Sequence, residues 1–361
     1  MFTSLLATPE QTDLRNGVRR FLRDREPISA AREVVESGNR NPETWQRLAA
    51  EIGVGFLLLP EEIGGLADAG TELCIVAEEG GYQLLTAPLL PSVLATRAMA
   101  RAGVKDEEVW EAVSEGSRVL VPALSSAPGL WTRENVVVSA EEGQLTGRCD
   151  LLMDDTTGDW LLVAAHQGDT LALFLVDASA VGVRRALIGT QDKTRALCSV
   201  ELDGVEAREL ATSAPVAEAI AAAYDDAMIV LAAEQVGVAQ QALDMAVEYV
   251  KTREQFGRPV GSFQAVKHLL ADALVKVETA RSAVNVASHS AGDAGSRASL
   301  TLARCSQVAV QVTEASIQAH AGIGYTWEHD AHLLLKRARA NTVLLGSPAD
   351  HRRRVLNSMG A

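Results

Sequence analysis

The chain lacks most of the features that announce a function. Its four cysteines, Cys74, Cys149, Cys198 and Cys305, stand far apart with no CxxC spacing. That excludes a disulfide framework and a cysteine zinc site, and predicts reduced thiols in a cytoplasmic protein. No stretch approaches the ~20 apolar residues needed to cross a bilayer, so no membrane span is expected. The opening segment, MFTSLLATPEQTDLR, has no basic region followed by a long apolar run, and no secretory leader is expected. Positive charge is in deficit: 33 Lys and Arg against 47 Asp and Glu give a net charge of −14. Nucleic acid, which needs a basic surface, is thereby excluded as a partner. Neither GxGxxG nor GxxxxGK[ST] occurs, which excludes the usual Rossmann and P-loop phosphate sites. Internal repeats and low-complexity tracts are absent. His329 and His332, in Glu328-His329-Asp330-Ala331-His332, have no matching ligand cluster, so no metal is expected.

What is present is a globular composition, 47% hydrophobic and 22% charged over 361 residues, enough for two or three domains. Three zones differ in periodicity, and they predict a multidomain α+β chain. Residues 1–115 read as helical. Leu14, Val18, Phe21 and Leu22 share one face, Trp45, Leu48, Ile52 and Val54 another, and Leu73 to Leu94 continue the pattern with a break near Pro88 and Pro91. Residues 116–212 alternate short apolar runs with turn glycines. The runs Val119–Val121, Val136–Val138, Trp160–Val163, Leu171–Val176 and Cys198–Leu202 predict a β sandwich or barrel. Residues 213–361 return to long helices, about Ala217–Lys251, Ser262–His289 and Ala298–His320, whose length predicts a bundle.

Two stretches carry candidate chemistry. In Arg253-Glu254-Gln255-Phe256-Gly257-Arg258-Pro259, followed by Phe263-Gln264, a long helix breaks and a new one begins. A guanidinium pairs with phosphate oxygens and a ring stacks on a flat heterocycle, so the cluster suits a dinucleotide; a surface ion pair of Arg253 with Glu248 or Glu254 is the plain alternative. In Gln318-Ala319-His320-Ala321-Gly322-Ile323-Gly324-Tyr325, a helix ends in a glycine turn whose N–H groups suit an anion, or which merely caps the helix.

Together, R-x-Q-F-G-x-P, F-Q and Q-x-x-x-G-x-G-Y closely resemble the acyl-CoA dehydrogenases. So do Pro9-Glu10-Gln11 with Val18-Arg19-Arg20-Phe21-Leu22, Trp45-x-x-Leu48-Ala49 with Pro60-Glu61-Glu62-x-Gly64-Gly65, and Leu145-x-Gly147. The resemblance implies a helical N-terminal domain, a middle β-barrel and a C-terminal four-helix bundle. It also implies FAD, with the flavin ring in one subunit and the ADP half gripped by a neighbour. By matching position, Arg253, Gln255, Phe256, Gln264, Gln318 and Gly322 form that grip.

The chain departs from the family where the reaction needs a base. α-Proton abstraction suits a carboxylate in an apolar pocket, where desolvation strengthens it. The resemblance offers two positions for that glutamate. Leu345 occupies one, in Leu344-Leu345-Gly346-Ser347. Ala227 occupies the other, ten residues before Gly237, with Met228 where an arginine is common. Asp225, Asp226 and Glu234 are off-position, and one helical residue is ~100° of rotation. Where the resemblance implies flavin-ring stretches, this chain has Ala123–Trp131 in place of a Thr-Glu-Pro-Gly-type loop, and Leu151–Asp154 in place of a stretch that usually brings a ring and a hydroxyl.

An intact grip without base or ring pocket resembles the degenerate half of an α2β2 heteromer such as those acting on steroid-CoA thioesters in actinobacteria. That implies a catalytic partner subunit carrying the acyl-CoA, one FAD per pair, and an electron-transferring flavoprotein as acceptor. The alternatives are a self-sufficient homotetramer with a relocated base, Asp226 first, and a scaffold without a redox role.

Overall fold

The computed structural model describes residues 6–38, 40–66, 69–154, 156–212, 215–289 and 294–360. Met1–Leu5 of the opening segment and the expected boundary residue Ser213 lie outside them. The chain packs as two compact units. One comprises Met1–Asn39, Gly70–Thr86 and Met228–Ala361; the other comprises Arg40–Ala69 and Ala87–Ala227.

The helices of the N-terminal third are α1 (Pro9–Arg25), α2 (Ile28–Ser37), α3 (Pro42–Ala50), α4 (Val54–Leu58), α5 (Gly70–Gln83), α6 (Leu89–Arg101) and α7 (Glu107–Glu115). Helix α1 starts where the sequence signals: Thr8 and Gln11 form a capping box, with Pro9 in the first turn. The expected break falls between α5 and α6. Helix α5 ends at Gln83 on a left-handed Leu84, whose successor Leu85 N–H donates back to Gly80 O. Pro88 is the N-cap of α6, while Pro91 lies in the first turn of α6 rather than breaking it.

The middle of the chain forms β1 (Leu120–Ala123), β2 (Ser139–Glu141), β3 (Gln144–Leu152), β4 (Trp160–Gln167), β5 (Thr170–Asp177), β6 (Val183–Ile188), β7 (Leu197–Glu206) and β8 (Arg208–Thr212). The expected barrel takes the form of one eight-stranded sheet. Its order is β6-β7-β3-β2-β4-β5-β8, with β1 paired in parallel to β4. Val121, Leu145, Leu161, Val163, Phe174, Val176 and Val200 fill its core. Four expected apolar runs fall in or overlap strands. Val136–Val138 does not: it is extended and Val138 O accepts from His166 N–H at 2.8 Å, but the ladder begins only at Ser139.

Helices α8 (Val216–Thr252), α9 (Gln264–His289), α10 (Ala294–His320), α11 (Ala331–Leu344) and α12 (Pro348–Ser358) complete the chain, with a two-strand hairpin of β9 (Glu254–Gln255) and β10 (Arg258–Pro259) between α8 and α9. Within the first unit, α10 packs against α9, α11 and α12. Helices α5 and α8 approach backbone to backbone. A Cβ at Gly81 would strike the Glu234 carbonyl, and one at Gly237 would strike that of Glu78. Only glycine permits so close an approach.

Candidate functional site

The first candidate stretch is a tight hairpin. Gln255 and Arg258 pair across a two-residue turn, and both central residues, Phe256 (φ +54°) and Gly257 (φ +75°), are left-handed. This is the type I′ geometry that suits the twist of a hairpin. Glycine takes it freely, whereas a phenylalanine there is held at a cost of roughly 1–2 kcal/mol. The strained residue is also 92% exposed. Its ring meets Phe263 edge-on at 6.1 Å, and the Arg258 guanidinium lies 4.1 Å over the Phe263 ring. Val260 N–H donates to Arg253 O at 2.8 Å and closes the base. An open cleft lined by Val247, Val250, Pro259, Val266 and Leu270 runs beside it.

The side chains of this corner face solvent. Arg253, Gln255 and Gln264 are exposed. The ion pair weighed for Arg253 is not formed: Glu248 takes Lys251 instead, at 2.7 Å, and Arg253 has no ion pair among the described residues. Gln264 likewise makes no side-chain hydrogen bond among them, and the Gln255 amide reaches only the neighbouring Glu254 carbonyl.

The second stretch closes α10. Gln318 and Gly322 are exposed. Ala321, not Gly322, carries the left-handed backbone of the turn, at φ +52°. A Cβ built on Gly322 would meet nothing within 4 Å. The fold therefore does not require glycine at 322, and the open space in front of it is available to a ligand. The two stretches lie together: the ring of Tyr249, in the last turns of α8, sits 4.7 Å from that of His320. His320 stands two residues from both Gln318 and Gly322. Burial pulls the imidazoles of His320 and His329 below their ordinary range.

The positions examined for a base are built differently. Leu345 and Ala227 are buried. Asp226 Oδ2 accepts from Arg101 Nε at 3.0 Å and Nη2 at 2.7 Å. Glu234 Oε1 accepts from Arg337 Nη1 and from Asn341 Nδ2, each at 2.9 Å, and Arg337 is only 1% exposed. Asp225 is buried and also has a partner. None of the three is a free carboxylate in an apolar pocket. The stretches that replace the flavin-ring loops are also closed on themselves. Trp131 Nε1–H donates to Leu124 O at 2.8 Å and its ring lies 6.3 Å from Tyr224. Asp154 is held by Arg185 at 2.9 Å.

Sequence reading missed the Arg337–Glu234–Asn341 cluster and the rings beside His320. Arg337 sits in a Lys-Arg-Ala-Arg run that looks solvated, and only tertiary packing reveals that its side chain is buried. The His320 signal was available: an aromatic-compatible residue midway between two candidate ligands.

Comparison with known proteins matches residues 8–107 to the acyl-CoA dehydrogenase N-terminal domain and residues 218–360 to the C-terminal domain. The chain is 32% identical to acyl-CoA dehydrogenase IpdE2 of Mycobacterium tuberculosis over 97% of this chain and 98% of the relative. Among solved structures it is similar to the ChsE4–ChsE5 complex from Mycobacterium tuberculosis, with 26% identity, a TM-score of 0.84 and 99% of each chain covered. It is also similar to a Tcur3481–Tcur3483 steroid ACAD variant, with 29% identity, a TM-score of 0.81, and 97% of this chain and 98% of that one covered. With these matches spanning its length, the chain belongs to the acyl-CoA dehydrogenase family of FAD-dependent flavoproteins.

Proposed function

We propose that this chain is the non-catalytic subunit of a heteromeric acyl-CoA dehydrogenase, completing the FAD site of a catalytic partner. We also read it as three domains, 1–115, 116–212 and 213–361, working in the cytoplasm; four buried free cysteines suit that reducing setting. The observation that carries the proposal is the contrast in side-chain state. Arg253, Gln264 and Gln318 are exposed and unengaged, while Asp226 and Glu234 are spent on Arg101 and Arg337.

The residues present fit the ADP half of FAD. Arg253 suits the diphosphate, since a guanidinium pairs with phosphate oxygens in fixed geometry. The exposed Phe256 ring offers an apolar face to a heterocycle, with Gln255, Gln264 and Gln318 as hydrogen-bonding side chains beside it. Gly322 lets a ligand approach the turn backbone. FAD, when bound, supplies the acceptor for the β-hydride. In our reading the partner subunit supplies the base and holds the acyl-CoA, and an electron-transferring flavoprotein takes the electrons onward. The paired chains of ChsE4–ChsE5 and the steroid ACAD support a heteromer and a steroid-CoA substrate class.

The test is flavin content and turnover. Purified alone, the chain should hold little flavin and show no acyl-CoA dehydrogenation. Co-purified with a catalytic partner, it should carry about one FAD per pair, the stoichiometry implied by a single complete site. A flavin-replete homotetramer of this chain that is reduced by acyl-CoA defeats the proposal.

A further inference from the structure

Two rings, Tyr249 and His320, join the two halves of the clamp inside one compact unit, and a third, His329, packs on His320. Tyr249 is anchored to the hairpin stretch, because its carbonyl accepts from Arg253 N–H at 2.8 Å. Its ring lies 4.7 Å from His320, tilted by 36°, and His320 lies 4.2 Å from His329, tilted by 50°. His320 ends α10, directly before the left-handed Ala321. We propose that His320 is a positioning residue, the middle of a ring strut that sets the spacing between the Arg253–Phe256 hairpin and the Gln318–Gly322 turn, and through it the grip on the diphosphate arm of a dinucleotide. The inference rests on the clamp reading given above.

The strut works with a neutral imidazole. His320 Nδ1 stands 2.7 Å from Ser316 O, which makes it the protonated nitrogen of the neutral ring. Nε2 is buried and makes no hydrogen bond, although the Met245 carbonyl lies near enough to favour the charged form somewhat. A second proton would therefore place a buried charge that only the Met245 carbonyl faces, and the loss of solvation outweighs that contact. It would also sit against a second imidazole, and two charged rings cannot share that contact. The groups facing the pair offer little relief. Tyr249 from α8 brings an aromatic ring to the contact and no carboxylate. Asp330 is taken by Arg32 of α2 at 2.6 Å, and Lys336 and Arg32 add positive charge near His332, the next histidine along. His329 Nδ1 accepts from Ala331 N–H at 3.2 Å, which fixes its own tautomer.

The sign of the pH effect follows. Folding lowers both imidazoles, so protons bind better when the stack is apart. The strut is intact above the ordinary histidine pKa of ~6.5 and weakens as pH falls below it.

The experiment measures FAD affinity of the complex with its partner, from pH 8 to pH 5.5, for the wild type and three variants. The wild type should lose FAD as pH falls. His320→Phe keeps a ring that cannot be protonated, so it should bind FAD normally at pH 8 and lose much less on acidification. His320→Ala should weaken FAD roughly tenfold at pH 8, and Tyr249→Phe should be silent. If His320→Ala fails to assemble, the His320→Phe profile decides alone. A His320→Phe profile as steep as the wild type, or an assembled His320→Ala with unchanged affinity, overturns the strut. Gly322→Ala in the same complex separates the two levels. If it too leaves FAD affinity unchanged, the clamp reading has failed and the strut with it. If it weakens FAD while the His320 variants do not, only the strut has failed.

Discussion

The middle of α8 and its C-terminal end obey opposite rules. Asp226 and Glu234 are each paired with an arginine, and Ala227, Met228, Leu231 and Ala233 beside them are apolar and buried. Beyond Thr252 the side chains of Arg253 and Gln264 are exposed with no hydrogen bond or ion pair among the described residues, and the backbone accepts a left-handed phenylalanine whose ring is exposed. A protein interior satisfies its polar groups because an orphan costs about 1–3 kcal/mol. A surface need not, and exposed unpaired groups are ordinary. What is not ordinary is strain, openness and chemical complementarity to one ligand at the same corner. The difference teaches that this chain satisfies its carboxylates within itself in the middle of α8 and leaves polar groups open at the helix's C-terminal corner.

The sharpest way to break this comparison is Arg337→Ala. It removes the guanidinium paired with the buried Glu234 carboxylate, and should destabilise the chain by about 3–5 kcal/mol in urea unfolding. A variant within error of the wild type would mean that the middle of α8 is not the finished ion-pair network described. Next in size is Arg253→Ala. It should leave chain stability within ~0.5 kcal/mol, because the exposed side chain makes no hydrogen bond or ion pair among the described residues. FAD affinity of the assembled complex should nevertheless fall about 10–100-fold, as expected for a charged hydrogen bond to phosphate. Equal loss in both measurements would place Arg253 in the fold rather than the clamp. The smallest effect is Ala321→Gly. Relief of the left-handed alanine is offset in part by the looser unfolded chain, so a gain of up to ~1 kcal/mol is expected by thermal unfolding. A loss of stability would show that the turn is not strained.

Much of this was legible in the sequence, because periodicity and punctuation are local signals. Helix α8 is expected over Ala217–Lys251 and runs Val216–Thr252; α9 ends at His289 as expected. The hairpin residues stand out through Gly257 and Pro259, and the two glycine-bearing stretches mark themselves. Side-chain state was not legible. Nothing local distinguishes Arg253, which is free, from Arg337, which is buried against Glu234, since both lie in charged runs. Helix α10 begins at Ala294 rather than near Ala298, because small and polar residues there weaken the apolar period while the helix continues. The Tyr249–His320 contact depends on two helix ends meeting, and no spacing rule encodes it.

The type I′ turn has a kinetic meaning. In the heteromer proposed above, a flexible loop bearing Phe256 would have to be ordered during each encounter with the partner, which slows association and adds an entropic penalty. A two-residue turn closed by paired strands and the Val260–Arg253 hydrogen bond has almost nothing left to order. Docking through it should proceed at the rate set by diffusion and orientation, so variants of the exposed corner should differ in how long the complex lasts rather than in how fast it forms.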